Sequence, residues 1–203
     1  TRLIPTEISV LRNNLPVTGR AFPFPKGVTL VSVTDLQGRI TYCNAAFVAV
    51  SGFSREELLG QPHNLVRHPD MPAEAFRDLW ETIRAGQTWT ALVKNRRKTG
   101  DHYWVRANAT PIVRGGKVIG YMSVRTKPLR AEIEATEAVY RAFREGRGGR
   151  WRFHQGLIVR SGAMAWASWL QVMPVRWRLR LGVLSLTGST VGAAAATGAE
   201  GMA

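Results

Sequence analysis

The sequence predicts an α+β domain of about 100 residues, an antiparallel sheet with its helices on one face. Three observations predict it. Residues 29–33 and 39–42 are rich in apolar and β-branched residues and are joined by Asp35-Leu-Gln-Gly38, a turn-forming tetrapeptide. A series of short helix signals follows, several with a cap of their own. Residues 89–97, 102–113 and 118–126 then read as strands separated by Lys98-Thr-Gly-Asp101 and Arg114-Gly-Gly-Lys117. Two strands, several short helices and three more strands make a five-stranded sheet.

The helices can be justified singly. Asn44 stands where an N-cap is needed, before an apolar helix over 45–50. Ser54 and Glu57 have the spacing of a capping box, Phe53 and Leu58 that of a hydrophobic staple, and Gly60 stops the helix. The next helix starts at Pro72, which suits the first helical position, with Glu74 in the first turn. Its apolar stripe is Phe76, Leu79, Trp80 and Ile83, and Gly86 ends it. A further amphipathic helix covers 132–143, broken by Gly146, Gly148 and Gly149.

Between these helices lies Asn64-Leu-Val-Arg-His-Pro-Asp-Met-Pro72, which concentrates ionisable and amide groups in a proline-stiffened turn. Arg67 and His68 can donate to an anion, and Asp70 can accept from a hydroxyl or a ring N–H. The plainer alternatives are a surface arginine, a histidine that caps the following helix, and, for Trp80, an ordinary core residue. Strand alternation puts Ala91, Val93 and Asn95 on one face, with Tyr103, Val105, Ala107 and Ala109. An amide on that apolar face needs partners, either a ligand or a neighbouring backbone group. The other face holds Trp104, Arg106 and Asn108, with Met122 and Val124 beside them. No helix is left to cover that face, so it reads as a docking surface or a solvated sheet face.

The net charge of +14 is unevenly spread: residues 141–180 carry nine arginines against Glu145 alone. Trp151, Trp166, Trp169 and Trp177 interleave with them, and an uncharged run over 181–199 follows. Arginine with tryptophan beside such a run is the pattern of a membrane–water boundary more than of a nucleic-acid site. A helix over 163–173 fits the interface, and 181–203 is the possible start of a membrane anchor. The single cysteine, Cys43, excludes an internal disulfide and suits a reducing compartment. No amino-terminal signal peptide is expected.

Four blocks carry a resemblance: Val66-Arg-His-Pro-Asp-Met-Pro72, Val93-Lys-Asn-Arg-Arg-Lys98, Gly100-Asp-His-Tyr-Trp-Val-Arg-Ala-Asn108 and Gly120-Tyr-Met-Ser-Val-Arg-Thr126. In that order they resemble the PAS domain of bacterial aerotaxis receptors, over roughly 26–180. The resemblance implies a PAS fold whose short helices enclose a cofactor pocket, FAD held there non-covalently, and a role in aerotaxis signalling. It places Arg67, His68 and Asp70 on the family's FAD-affecting motif, Trp80 on an aromatic of the following helix, and Asn95 on a pocket amide. It divides the chain into an N-terminal arm (1–27), an FAD-binding PAS domain (28–128), a basic amphipathic linker (129–180) and the anchor segment (181–203). The implied setting is the cytoplasmic face of the bacterial inner membrane, as a homo-oligomer whose partners are the membrane surface and a HAMP-like or signalling domain of a chemotaxis receptor.

Enzyme readings find little support. The four histidines have no zinc-site spacing, and no glycine-rich phosphate loop opens a helix after a strand. The rivals are a haem- or small-ligand-binding PAS module and a basic nucleic-acid-binding protein.

Overall fold

The computed structural model describes residues 14–162 and Ser168. The chain divides after Ile158 into two units, and the first of them carries the sheet. Its strands are β1 (Leu30–Thr34), β2 (Ile40–Cys43), β3 (Trp89–Arg96), β4 (His102–Arg114) and β5 (Lys117–Thr126). They lie in the order β2-β1-β5-β4-β3, antiparallel throughout. The long connection from β2 to β3 crosses one face of this sheet. It contains α1 (Ala45–Ser51), α2 (Arg55–Leu58), a 3₁₀ turn (His63–Val66) and α3 (Ala73–Arg84).

Local chemistry sets the helix starts. The Asn44 carboxamide oxygen accepts from Phe47 N–H, and its amide nitrogen donates to the Thr29 carbonyl, so one side chain caps α1 and ties it to the sheet. Ser54 and Glu57 form the expected capping box around α2. Pro72 proves to be the residue before the first helical turn of α3, not the first within it: its ψ of 143° is extended. Gly38 ends the β1–β2 turn with φ +79°, and a Cβ there would lie 2.9 Å from the Trp80 ring. Glycine is required twice over at that point, for conformation and for space.

The expectation that one sheet face lacks a helical cover is overturned. The helix α4 (Arg130–Arg144) packs across the Trp104 side of β3 and β4. Tyr140 donates its hydroxyl to the Leu92 carbonyl at 2.6 Å, and its ring lies 6.1 Å from that of Trp104. Glu132 pairs with Arg106, and Glu137 lies 3.3 Å from Lys94 Nζ. Leu92, Lys94 and Trp104 are consequently buried. The helical stripe of α4 was legible, but nothing in its period says which surface it covers. Phe153 of β6 (Trp151–His154) extends the cover by stacking on Tyr140 and Phe143.

The arm before β1 is held by its own backbone. Arg96 donates to the carbonyls of Leu15 and Pro16, and the Asn14 amide donates to those of Asn64 and Arg67, at 2.7 and 2.8 Å. The core under the helices is apolar, with Leu30, Ile40, Phe47, Leu58 and Val105 fully buried. Each such side chain contributes about 1.5–3 kcal/mol. Among the described residues no helix is long and apolar enough to cross a membrane, and the segments 163–173, apart from Ser168, and 181–203 lie outside them.

Candidate ligand-binding site

A cavity of about 640 Å³ opens between the sheet and the crossing connection. Its existence follows from side-chain size. Ala107 and Ala109 occupy successive inward positions of β4, where larger residues would fill the space. The volume falls in the range of small-molecule and cofactor sites, roughly 300–1,000 Å³.

The structure separates the five residues singled out in the sequence. Arg67, Trp80 and Asn95 line the cavity, whereas His68 and Asp70 do not. Arg67 follows the 3₁₀ turn and pairs with Asn95 in an isolated antiparallel bridge. Its guanidinium lies 3.8 Å from the centroid of the Phe76 ring and donates to the Met71 carbonyl at 3.1 Å. Burial draws its pKa down to about 10, which leaves it cationic at neutral pH. Trp80 stands edge-on to Tyr121, ring centroids 5.7 Å apart.

His68 and Asp70 turn instead toward Lys94, on the face that α4 covers. Asp70 accepts from Lys94 Nζ at 2.6 Å. Burial alone would raise the Asp70 pKa, but the bond from Lys94 and its charge outweigh this and hold it low. His68 Nδ1 accepts from Asp70 N–H at 3.1 Å, and its ring meets His102 edge-on. Burial, with the Lys94 charge nearby, lowers the His68 pKa to about 4, so the ring is neutral. The reason for the division is the period of two: Lys94 and Asn95 are neighbours on opposite faces of β3.

Two buried amide atoms are left without partners among the described residues. They are Asn95 Nδ2, a donor, and Asn64 Oδ1, an acceptor, and both residues line the cavity. Such atoms are costly unless a ligand satisfies them, at about 1–3 kcal/mol each. Sequence reasoning had included Asn95 and omitted Asn64.

It also missed His63 and Arg125. Arg125 sits on β5 opposite Ala107, on the inward face with Tyr121 and Ser123. Its Nη2 donates to His63 Nε2 at 2.7 Å, and its Nη1 to Ser32 Oγ at 3.1 Å. Burial, reinforced by the Arg125 charge, pushes the His63 pKa well below its ordinary value. Arg125 itself is lowered by burial to about 10 and remains cationic. Alternation from Tyr121 was the signal that could have found it.

Residues 40–125 match the family model of the PAS fold. The chain is 54% identical over 170 residues to the aerotaxis receptor of Escherichia coli, covering 84% of this chain and 33% of that receptor. It is 32% identical over 83 residues to a nitrogen fixation regulatory protein of Klebsiella pneumoniae, covering 41% of this chain and 17% of that protein. The chain thus spans a third or less of the length of these relatives. A solved structure concerned with a flavin analogue and the light-oxygen-voltage domain mechanism matches with a TM-score of 0.50 at 21% identity, over 53% of this chain and 83% of that one. Strand order, helical crossing and family match agree: residues 40–125 make up most of a PAS domain, and the chain that carries it is similar over 84% of its length to a bacterial aerotaxis receptor.

Proposed function

We propose that this chain is the flavin-binding sensor portion of an aerotaxis receptor, holding FAD non-covalently in its PAS cavity. The observation that carries this reading is the pair of unpartnered buried amide atoms, Asn95 Nδ2 and Asn64 Oδ1, on the wall of a cofactor-sized cavity. The pyrimidine edge of an isoalloxazine offers the matching acceptors and a donor. Trp80 and Tyr121 supply aromatic surface beside it. Bound flavin supplies the redox chemistry, and the chain binds it, orients it and shields it from water. Arg67 contributes a fixed positive charge at the wall. His68 and Asp70 act on the site through the turn that positions Arg67. The output is a change in the state of the ligand rather than turnover of a substrate.

The similarity to an aerotaxis receptor supports a further part of the reading. The basic, tryptophan-bearing segment after residue 150 meets the cytoplasmic face of the inner membrane, and the PAS domain addresses a HAMP-like or signalling domain in a homo-oligomeric receptor. If the full chain and a chain ending at Ile158 partition equally in liposome flotation, the membrane part falls.

An absorption spectrum of the purified chain after incubation with FAD and gel filtration tests the cofactor. The expected result is an oxidised-flavin spectrum that bleaches with dithionite and returns in air. A colourless protein overturns the assignment.

A further inference from the structure

The turn between β6 and β7 (Leu157–Arg160) is seated on α3 by one carboxylate. Asp78 Oδ1 accepts from Gln155 N–H at 3.0 Å, and Asp78 Oδ2 accepts from Gly156 N–H at 2.7 Å. The same Oδ2 accepts from the indole N–H of Trp89, also at 2.7 Å. Thr90 of β3 donates its N–H to the Gln155 carbonyl at 3.3 Å, so the turn also meets the open edge of the sheet. The seat admits only glycine: a Cβ on Gly156 would lie 2.1 Å from the Thr90 carbonyl oxygen, and φ there is +87°. Gln155 beside it, with φ 52°, is the one non-glycine residue of positive φ among the described residues. Backbone held in so sparsely populated a region points to a function for the contact it delivers. Trp89 supplies the other connection. It is 1% exposed and lines the cavity opposite Ala109, whereas Asp78 lies outside the cavity wall. The indole thus has the cavity on one side and, at its N–H, the carboxylate that holds the hairpin.

We propose that the β6–β7 hairpin reports the state of the cavity, with Asp78 as the positioning residue that fastens Trp89 and the hairpin tip together. Two arrangements follow from the geometry: seated, with all three N–H groups on the carboxylate, and released, with the two backbone N–H groups in water. The indole N–H is a donor only, so a ring that moves with the cavity occupant either carries the carboxylate with it or gives up the bond. An occupant packed against Trp89 favours the seated arrangement, and by reciprocity a seated hairpin tightens the hold on the occupant. In sequence the hairpin links α4 to the residues after 160. The proposal rests on the flavin reading for the identity of the occupant, but the coupling of hairpin to indole belongs to the chain whatever fills the cavity.

The test follows hydrogen exchange by NMR in the full chain. Gly156→Ala unseats the tip while leaving Trp89, Asp78 and the cavity wall as they are. In the cofactor-free chain this variant is expected to speed exchange of the Trp89 indole proton about fivefold or more, the worth of one hydrogen bond, with circular dichroism unchanged. Asp78→Ala gives the fully released rate for comparison. A wild-type indole rate in Gly156→Ala means that the turn is a passive attachment, and overturns the proposal. The converse measurement needs no variant. FAD added to the wild-type chain is expected to slow exchange of the Gln155 and Gly156 amides about threefold or more, while Gly116, in the β4–β5 turn, keeps its rate. FAD uptake, seen in the spectrum, without that selective slowing also overturns the proposal. A wild-type chain that takes up no FAD removes the flavin reading instead, and the indole rate in Gly156→Ala then decides the coupling by itself.

Discussion

Arg67 pairs with Asn95 across an isolated antiparallel bridge, so the turn that follows the 3₁₀ segment is joined to β3 at the residue whose amide faces the cavity. His68 N–H continues the pairing by donating to the Lys94 carbonyl. Because β3 is the last strand of the sheet, this turn also covers an otherwise open edge. Cavity wall, ionisable turn and the face under α4 therefore meet along three consecutive residues of one strand, Lys94 to Arg96.

Asn95→Ala should separate binding from folding. Its Nδ2 makes no hydrogen bond of good geometry within the described protein, and the group that feels it is the buried Tyr103 hydroxyl on the facing strand, so little internal bonding is lost with that donor. The expected cost to stability is about 1 kcal/mol or less, while flavin affinity falls about tenfold or more. Melting and flavin titration of the same preparation check this. A mutant that binds flavin as wild type does places the ligand elsewhere.

Acid should destabilise the fold through its buried histidines. His68 has a folded pKa of about 4 against an ordinary 6.5, so between those values the unfolded chain binds more protons. The His68 contribution is complete above about pH 6.5 and is lost as pH falls toward 4. His63 and His102 are lowered in the same direction, again by burial first. His68→Asn keeps an acceptor for Asp70 N–H without the titration. It should flatten the loss in that window by about 1–2 kcal/mol, discounted for solvent screening. Chemical denaturation at pH 7.5, 6 and 4.5 reads the difference, and an unchanged slope rejects His68 as a source.

Ending the chain after Pro128 removes the cover of the Trp104 face. Leu92, Lys94 and Trp104 would be exposed, and Lys94 would keep Asp70 but lose Glu137. The loss of Tyr140 alone removes a 2.6 Å hydrogen bond and a buried ring. The truncated chain should melt several degrees lower, because stability of about 2 kcal/mol or more is lost. It should also bind an apolar dye that the longer chain ignores. Equal melting of chains ending at Pro128 and Ile158 would show that α4 contributes nothing to the domain.

Illumination should produce no cysteinyl adduct on a bound flavin. Cys43 is fully buried in the core and is absent from the cavity wall, and burial raises its pKa away from the reactive thiolate. Blue light should leave the flavin band unchanged on the adduct timescale. A band that bleaches, recovers in the dark and no longer bleaches in Cys43→Ala would overturn this.

Much of the site was legible because strand alternation is strict. The inward set Val93, Asn95, Ala107 and Ala109 follows from period two alone, and so does Trp80 from the stripe of α3. Arg125 obeys the same alternation, on the face of β5 opposite to Met122 and Val124. The turn was read as one unit of binding chemistry, but its backbone lies along the edge of β3. Successive side chains there are sent to opposite faces.

Local sequence determined the strands, the caps at Asn44 and Ser54, the crossing helices and the turn conformation at Gly38, since each depends on neighbours within a few residues. Tertiary structure decided three further things. It placed α4 on the Trp104 face, divided Arg67 from His68 and Asp70, and left Arg125 buried among neutral partners. These depend on contacts such as Tyr140 with Leu92 and Arg125 with Ser32, between residues far apart in the chain. A helical or strand period specifies which side of an element is apolar, whereas the surface that meets that side is selected only when the whole chain packs.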